Sequence, residues 1–364
     1  MSEPAAPAGR EERLLGIIET ARAKPARFRD ERVTMAHGAG GKATQALIEG
    51  VLLPAFGSAA LAELGDAGLV VIEDLGLALT TDSFVVRPLR FPGGSIGELA
   101  VNGTVNDLAM AGARPVALTV SLILEEGLEA GVLRAEVQAI ADAAAAAGVE
   151  IVAGDTKVVE RGSADGMYIC TTGLGRLDPR GSLSPSGLQD GDRILVSRRI
   201  GDHGMAIMLA RGEFELAADI ESDTRPLWPA ADALLDAAGA SLHALRDATR
   251  GGVASVLNEL ARASGVGITV READIPVAPA VAGAAELLGL DPMHVANEGV
   301  LVAAVAPAAA AAALDALREV PGCDEAVEIG AVRAEPPGMV LVETAFGGRR
   351  VLDQLVGDPL PRIC

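Results

Sequence analysis

Four aspartates stand where an α/β chain presents side chains to a ligand. Asp82 follows an apolar run in LALTTDSFVV, Asp155 ends another in IVAGDTKVV, Asp107 lies in GTVNDLAM and Asp66 in LGDAGLV. Carboxylates at strand ends or beside glycines, far apart along the chain, are how a fold assembles a hard-cation site for Mg²⁺ and a polyphosphate. Taken singly, each is more often a turn or N-cap acid. Asp107 stands apart, because the small, apolar helix around it would bury it, and an unpaired buried carboxylate is costly. Lys157, two residues beyond Asp155, shares its strand face; it either neutralises a transferring phosphate or pairs with the acid.

The stretch HGAGGK, His37 to Lys42, puts three glycines ahead of a helix. Bare backbone N–H groups and the helix dipole there favour an anion. It is not a Walker A loop, since Ala36 and Ala43 occupy the places of the required Gly and Ser/Thr. Gly38, Gly40 and Ala43 fit the loose G-x-G-x-x-A dinucleotide form, with RVTMA as a possible preceding strand. A plain glycine cap on a helix fits equally well. RDATRGG sets Asp247 and Arg250 before a helix, and HVANEG sets Glu298 before an apolar strand; both patterns are more often capped turns. Histidines 37, 203, 243 and 294 form no close pair, so zinc and iron are not indicated. Cys170, in MYICTTGLG, reads as core filling and Cys323 as a loop residue. Cys364 ends PRIC, a thiol with nothing after it to bury it; a nearby carboxylate raises its pKa unless Arg362 offsets it.

Apolar segments of strand length alternate with Ala/Leu helices from Arg32 onward, which predicts α/β layers. Strands are expected at 69–72, 77–81, 116–124, 149–154 and 167–175, with helices at 42–56, 97–112 and 127–147. Between 179 and 192 the chain reads PRGSLSPSGLQDGD, a composition suited to a linker. Residues 1–31 are expected to form a loosely attached extension, 32–178 one domain, 193–345 a second, and 346–364 a mobile tail. In the second half, strands are expected at RILVS, GITV, VLVAAV and GMVLVET, with helices after Gly201 and at 226–239, 251–264, 279–288 and beyond Pro307.

Length alone suggests two domains. The chain of 364 residues carries 30 Lys and Arg against 50 Asp and Glu, a formal charge of −20. That field repels phosphate backbones and anionic lipid, so neither nucleic acid nor membrane is an expected partner. The longest uncharged apolar run, Gly299 to Leu314, is broken by Pro307 and falls short of the roughly 20 residues a spanning helix needs. No apolar core of a secretory signal stands in the first 33 residues, and a cytoplasmic protein with free thiols is expected.

AHGAGGKATQALI, TTDSFVVRPLRFPGGSIGELAVNGTVNDLAMAGARP, GDTKVVERG, RDATRGGV and the final PRIC together resemble the carbamoyl dehydratases of [NiFe]-hydrogenase maturation, the HypE family. The resemblance runs from about Val33 to Cys364. It implies kinship with aminoimidazole ribonucleotide synthetase, selenophosphate synthetase and thiamine-monophosphate kinase. It therefore implies two α/β domains of mixed sheets and helices, and a homodimer whose N-terminal sheets pair, with ATP near that interface. Gly38, Gly40, Gly41, Lys42, Asn106 and Thr156 would then line the nucleotide, and Asp66, Asp82, Asp107 and Asp155 would hold Mg²⁺ and phosphates. Cys364 would receive a carbamoyl group from the carbamoyltransferase HypF, and ATP would drive its conversion to a thiocyanate, with cyanide passed to the HypC–HypD complex. Lys157 would stabilise charge on the phosphoryl group, and Glu298, or secondly His37, would take the amide protons. Two departures stand out: Ala39 replaces the Ser of the common HGSGG form, and the N-terminal extension is long.

Rival readings are another ATP enzyme of that superfamily, such as a selenophosphate synthetase or small-molecule kinase, a nicotinamide enzyme built on GAGGKA, or a thiol carrier without catalysis. The absence of a cysteine in HGAGGK argues against selenium chemistry.

Overall fold

A computed structural model describes residues 28–57, 61, 63–212, 218–355 and 362–364. Most of the expected extension and the middle of the expected tail lie outside the described residues. The first half builds a five-stranded sheet from β1 (Gly68–Ile72), β2 (Leu75–Phe84), β5 (Ala113–Glu125), β6 (Glu150–Val159) and β7 (Met167–Leu177), in the order β1-β2-β7-β5-β6. A short hairpin, β3 (Arg90–Phe91) and β4 (Gly94–Ser95), precedes the central helix. Two short helical pieces, α1 (Lys42–Leu47) and α2 (Leu53–Phe56), are joined by a π turn at Ile48–Leu52.

Helix α3 (Ile96–Met110) is apolar on nearly every side, a pattern that only burial on all faces can satisfy. It packs on β2, β5 and β7, and α4 (Ala130–Ala147) packs beside it. Neither helix covers the opposite face of the sheet. On that face Ile72, Leu75 and Leu79 are exposed.

The second half forms a seven-stranded sheet, β14-β13-β10-β12-β8-β11-β9. Its strands are β8 (Arg193–Val196), β9 (Leu242–Asp247), β10 (Gly267–Arg271), β11 (Leu301–Val305), β12 (Val327–Arg333), β13 (Val340–Glu343) and β14 (Arg349–Leu352). Its helices are α5 (Asp202–Ala210), α6 (Trp228–Ala238), α7 (Gly252–Ser264), α8 (Pro279–Leu288) and α9 (Ala310–Arg318). The two halves share one core: Phe84, Ile96 and Leu99 pack in the same cluster as Met205, Ile207, Val281 and Val295. Removing one such side chain, as in Leu99→Ala, costs about 2–5 kcal/mol. That shared core fixes α3 against the second sheet.

Several elements differ from their sequence patterns. RVTMA is no strand; it leads into a 3-10 turn at Met35–Gly38, so the dinucleotide pattern lacks its strand. Within 346–364 the chain forms β14 along β13, where alternation is too short to read. Cys170 is half-buried on the sheet's outer face, hydrogen-bonded with Ser83 (3.5 Å), because its neighbours rather than it point to α3. Cys323 is in a turn but buried. Among the described residues, no helix is long and apolar enough to cross a membrane.

Candidate active site

Sheet parity sorts the predicted acids into two groups. Asp82 stands opposite Thr171, whose hydroxyl bonds Thr104 of α3 and the Ala100 carbonyl (3.1 Å). Asp82 therefore points to the helix side, where a Cβ on Gly103 would lie 3.7 Å from its Oδ2. Asp107 rises from α3 on the same side, and Asp66 precedes β1. Asp247, the last residue of β9, joins them. One carboxylate oxygen each from Asp66, Asp107 and Asp247 lie within 4.8 Å of one another.

These carboxyls are enclosed at the seam of the domains, and the enclosure raises their pKa values. For Asp66 the rise reaches about 6: loss of water outweighs the Arg246 guanidinium, 3.1 Å away, which pulls the other way. Asp247 reaches about 8, through the same enclosure and the charge of Asp66. Asp107 is pushed well above the ordinary range by enclosure and then by Asp247, Asp66 and Asp82. Asp82 is raised by enclosure, which the Arg250 charge opposes. Thr80 Oγ1 lies 3.0 Å from the Asp66 carbonyl and 2.7 Å from Asp107 Oδ2. One hydroxyl has one hydrogen, so Thr80 can donate to only one of the two at a time, the Asp107 carboxyl being the nearer. Oxygen atoms gathered this closely are of the type that could hold a hard cation.

Glu298 is 3 % exposed, its Oε1 has no hydrogen-bond partner, and enclosure followed by Asp247 and Asp82 pushes its pKa well above normal. Its backbone is fixed from two sides. The Glu298 N–H donates to Asp223 Oδ1 (3.0 Å), and Asn106 Nδ2 of α3 donates to its carbonyl (3.3 Å). Asn106 also donates to the Arg225 carbonyl (3.0 Å) and accepts from Leu227 N–H (2.7 Å). Both ends of the Asn106 amide thus hold loop 223–227 and the turn that carries Glu298.

The glycine loop meets the acids through Arg250. Arg250 Nη1 donates to the Gly38 carbonyl (2.8 Å), and a Cβ on Gly40 would lie 3.1 Å from the Arg250 Cβ. Gly40 also has φ +75°, which disfavours any side chain. Gly41 faces the Leu355 carbonyl, 2.3 Å from where its Cβ would stand. The Gly40 N–H donates to Thr44 Oγ1 (3.0 Å) and the Lys42 N–H to Leu355 (3.1 Å). Lys42 Nζ pairs with Asp353 at 2.6 Å. His37 is buried; its Nε2 lies 3.1 Å from Asp30 and its Nδ1 accepts from Thr34 N–H (3.0 Å).

Asp155 and Lys157 are not part of this gathering. Asp155 aligns with Ser121 and Cys170 on the outer face, three strands from β2, a separation of about 14 Å. The two pair at 2.8 Å, with 60 % and 68 % of their side chains exposed. The Lys157 bond lowers the Asp155 pKa. Thr156, between them, is exposed on the same edge strand.

Three residues of the site are weakly signalled in the sequence. Asp247 ends an apolar strand as Asp82 follows one, and that criterion, applied in the second half, would have selected it. Arg250 follows it on the same turn. Asp223, in ESDTRP, has no local signal, since its importance comes from the distant Glu298.

Two family models match, the AIR synthase related protein N-terminal domain over residues 64–177 and the C-terminal domain over 189–342. Carbamoyl dehydratase HypE of Rhodobacter capsulatus is 49 % identical over 341 residues, covering 93 % of this chain and 99 % of that protein. A solved HypE–HypF complex contains a chain with TM-score 0.81 and 43 % identity, covering 85 % of this chain and 99 % of that one. A HypE structure in complex with ATP gives TM-score 0.76 and 43 % identity, covering 92 % and 100 %. With both AIR synthase related domains present and near-full-length identity of this order, the chain belongs to the HypE family of hydrogenase-maturation carbamoyl dehydratases.

Proposed function

We propose that this chain uses ATP to dehydrate a carbamoyl group carried on Cys364, producing the thiocyanate that supplies cyanide to the iron of a [NiFe]-hydrogenase. The observation that carries the reading is the convergence of Asp66, Asp107 and Asp247 near the enclosed, unpartnered Glu298 Oε1. The relatives solved with ATP and with HypF support ATP as co-substrate and HypF as the donor of the carbamoyl group. Transfer onward to HypC–HypD and a cytoplasmic setting belong to the same reading.

An amide oxygen leaves poorly. The thiocarbamate oxygen attacks the γ-phosphorus and ADP leaves, while an N–H proton is taken up. The C–O bond then breaks with phosphate as leaving group, as the second N–H proton departs. Thiocarbamate and ATP thus become thiocyanate, ADP and phosphate. Oxygen ligands from Asp66, Asp107 and Asp247, with Asp82 beside them, suit Mg²⁺, which when bound would neutralise charge on the transferring phosphoryl group. With the Gly40 and Lys42 N–H groups already bonded, the glycine loop would serve the phosphates chiefly through the positive charge of Arg250 beneath it.

Glu298 takes the amide protons in this scheme. Its raised pKa makes it a stronger base than an ordinary carboxylate, and its Oε1 has no competing hydrogen-bond partner. His37 is the weaker candidate, because both ring nitrogens are engaged. Asp155 and Lys157 would serve the site of a second copy, in a homodimer formed through the uncovered sheet face. On protein already carbamoylated at Cys364, Glu298→Gln is expected to slow ATP-dependent dehydration by about 10²–10⁴. A wild-type rate in that variant removes Glu298 from the mechanism.

A further inference from the structure

Under the proposed reaction, the Cys364 thiol has to be loaded by a partner and then brought to the base. We infer that His203 is a positioning residue for this step, the centre of a built clasp that docks Arg362, Ile363 and Cys364 against the loop holding Glu298. His203, on α5, is fully buried, and its Nε2 lies 2.7 Å from the Ile363 carbonyl. A carbonyl only accepts, so Nε2 carries the hydrogen. Nδ1 must then accept from Ser222 Oγ, 2.8 Å away, and that hydroxyl in turn accepts from the Thr224 N–H (3.2 Å). Burial lowers the His203 pKa to about 4, which keeps the ring in this neutral form at neutral pH. The ring of Phe91 packs edge-on against it at 5.7 Å.

The other contacts read the neighbouring residues. Ile363 is 3 % exposed and lies in the core cluster shared by the two domains, with Cys364 packed at its margin. The Arg362 carbonyl accepts from the Arg87 N–H (3.3 Å) and from Arg211 Nη2 (2.7 Å). The Arg362 guanidinium donates to Asp165 Oδ2 (2.7 Å). Arg87, Phe91 and Asp165 come from the first domain, and His203, Arg211 and Ser222 from the second. Three consecutive residues are thus recognised by backbone, charge and shape at once.

What makes the clasp mechanistic is its continuity with the base. Ser222, which orients His203, adjoins Asp223, which accepts the Glu298 N–H. Asn102 Nδ2 of α3 fastens the same loop at Thr224 (3.1 Å). A docked terminus is therefore registered against the loop that sets Glu298. Docking and loading oppose one another, because a carbamoyltransferase needs the thiol that the clasp retains.

The test uses iodoacetamide on the full chain without ATP or partner, reading Cys364 alkylation by mass of the last peptide, with buried Cys323 as internal reference. His203→Ala and, independently, Ile363→Asn are expected to speed alkylation of Cys364 about fivefold or more, and His203→Gln, which retains a donor, to recover part of the protection. Ile363→Asn covers the case in which the buried histidine variant fails to fold. In both accelerated variants, carbamoyl loading by HypF should be equal or faster, while dehydration of the loaded thiol should slow by a similar factor. A merely structural histidine would slow both steps together. Wild-type alkylation of Cys364 in Ile363→Asn, or a fall in loading that parallels the fall in dehydration, overturns the clasp. Because alkylation needs no carbamoyl chemistry, its failure leaves the proposed reaction standing, and failure of that reaction leaves the protection intact.

Discussion

Asp107 and Asp155 come from the same half of the chain, and acids in both settings suit a cation, yet their surroundings are opposite. Asp107 stands at the domain seam among Asp66, Asp82 and Asp247, where enclosure makes it retain a proton. Asp155 stands on the outer face of β6, 60 % exposed and paired with Lys157, and its proton is lost more easily than usual. Asp107 rises from α3 itself, whereas Asp155 occupies an outward position of β6: side chains along a strand alternate between faces, and only one face meets α3. The contrast teaches that the acids of the domain seam are gathered within one chain, while Asp155 and Lys157 stand paired on the open face of the sheet.

The largest expected effect is at the enclosed acids. Asp107→Asn should lower ATP-dependent dehydration by about 10²–10³ in a steady-state assay, because it removes a carboxylate oxygen ligand for the cation that would neutralise the phosphoryl group. Asp155→Asn should matter only when two copies are joined. Mixing Asp107→Asn with Asp155→Asn subunits sharpens this: each hybrid dimer would contain one site with both native acids, so activity should return in the mixture. No return would place Asp155 in its own protomer's chemistry or outside it.

A smaller effect is expected on assembly. Ile72→Asp, at a position 57 % exposed on the uncovered face, should give a folded monomer by light scattering, with unchanged far-UV circular dichroism. A dimer of unchanged mass would mean that the uncovered face is not the interface.

The smallest is a pH effect. Asp247 has a folded pKa of about 8, above its unfolded value, so its contribution to stability is present at low pH and lost as pH rises through about 8. Without divalent cations, Tm should therefore fall between pH 6 and 9. Asp247→Asn should flatten that slope, and Mg²⁺ at pH 8 should raise the wild-type Tm by a few degrees. An identical slope in the variant would mean that Asp247 ionises as freely as an exposed acid.

The fold was legible where periodicity is long. β5 and β7, and helices α3 and α4, match apolar patterns within a few residues, because each carries a long apolar stretch, buried on nearly all sides in α3 and on one face in the others. β14 was hidden, since four residues with two arginines carry no alternation, and it forms only because β13 offers an edge. At the site, Asp66, Asp82 and Asp107 were visible as acids in apolar or glycine settings. Asp247 shared that setting but also the look of a capped turn. Asp223 and His203 could not be read locally, because their partners, Glu298 and Ile363, lie 75 and 160 residues away. Asn106 was expected at the nucleotide, but its amide holds the loop beneath Glu298, a use that only the tertiary fold defines.

The most direct measurement is the mass of the last peptide after incubation with HypF, carbamoyl phosphate and ATP. Cys364 should first gain one carbamoyl group and then, only when ATP is present, lose one water, while Cys364→Ser should undergo neither change. A carbamoylated Cys364 that persists unchanged as ATP is consumed, or a serine variant that still yields cyanide, would contradict the mechanism.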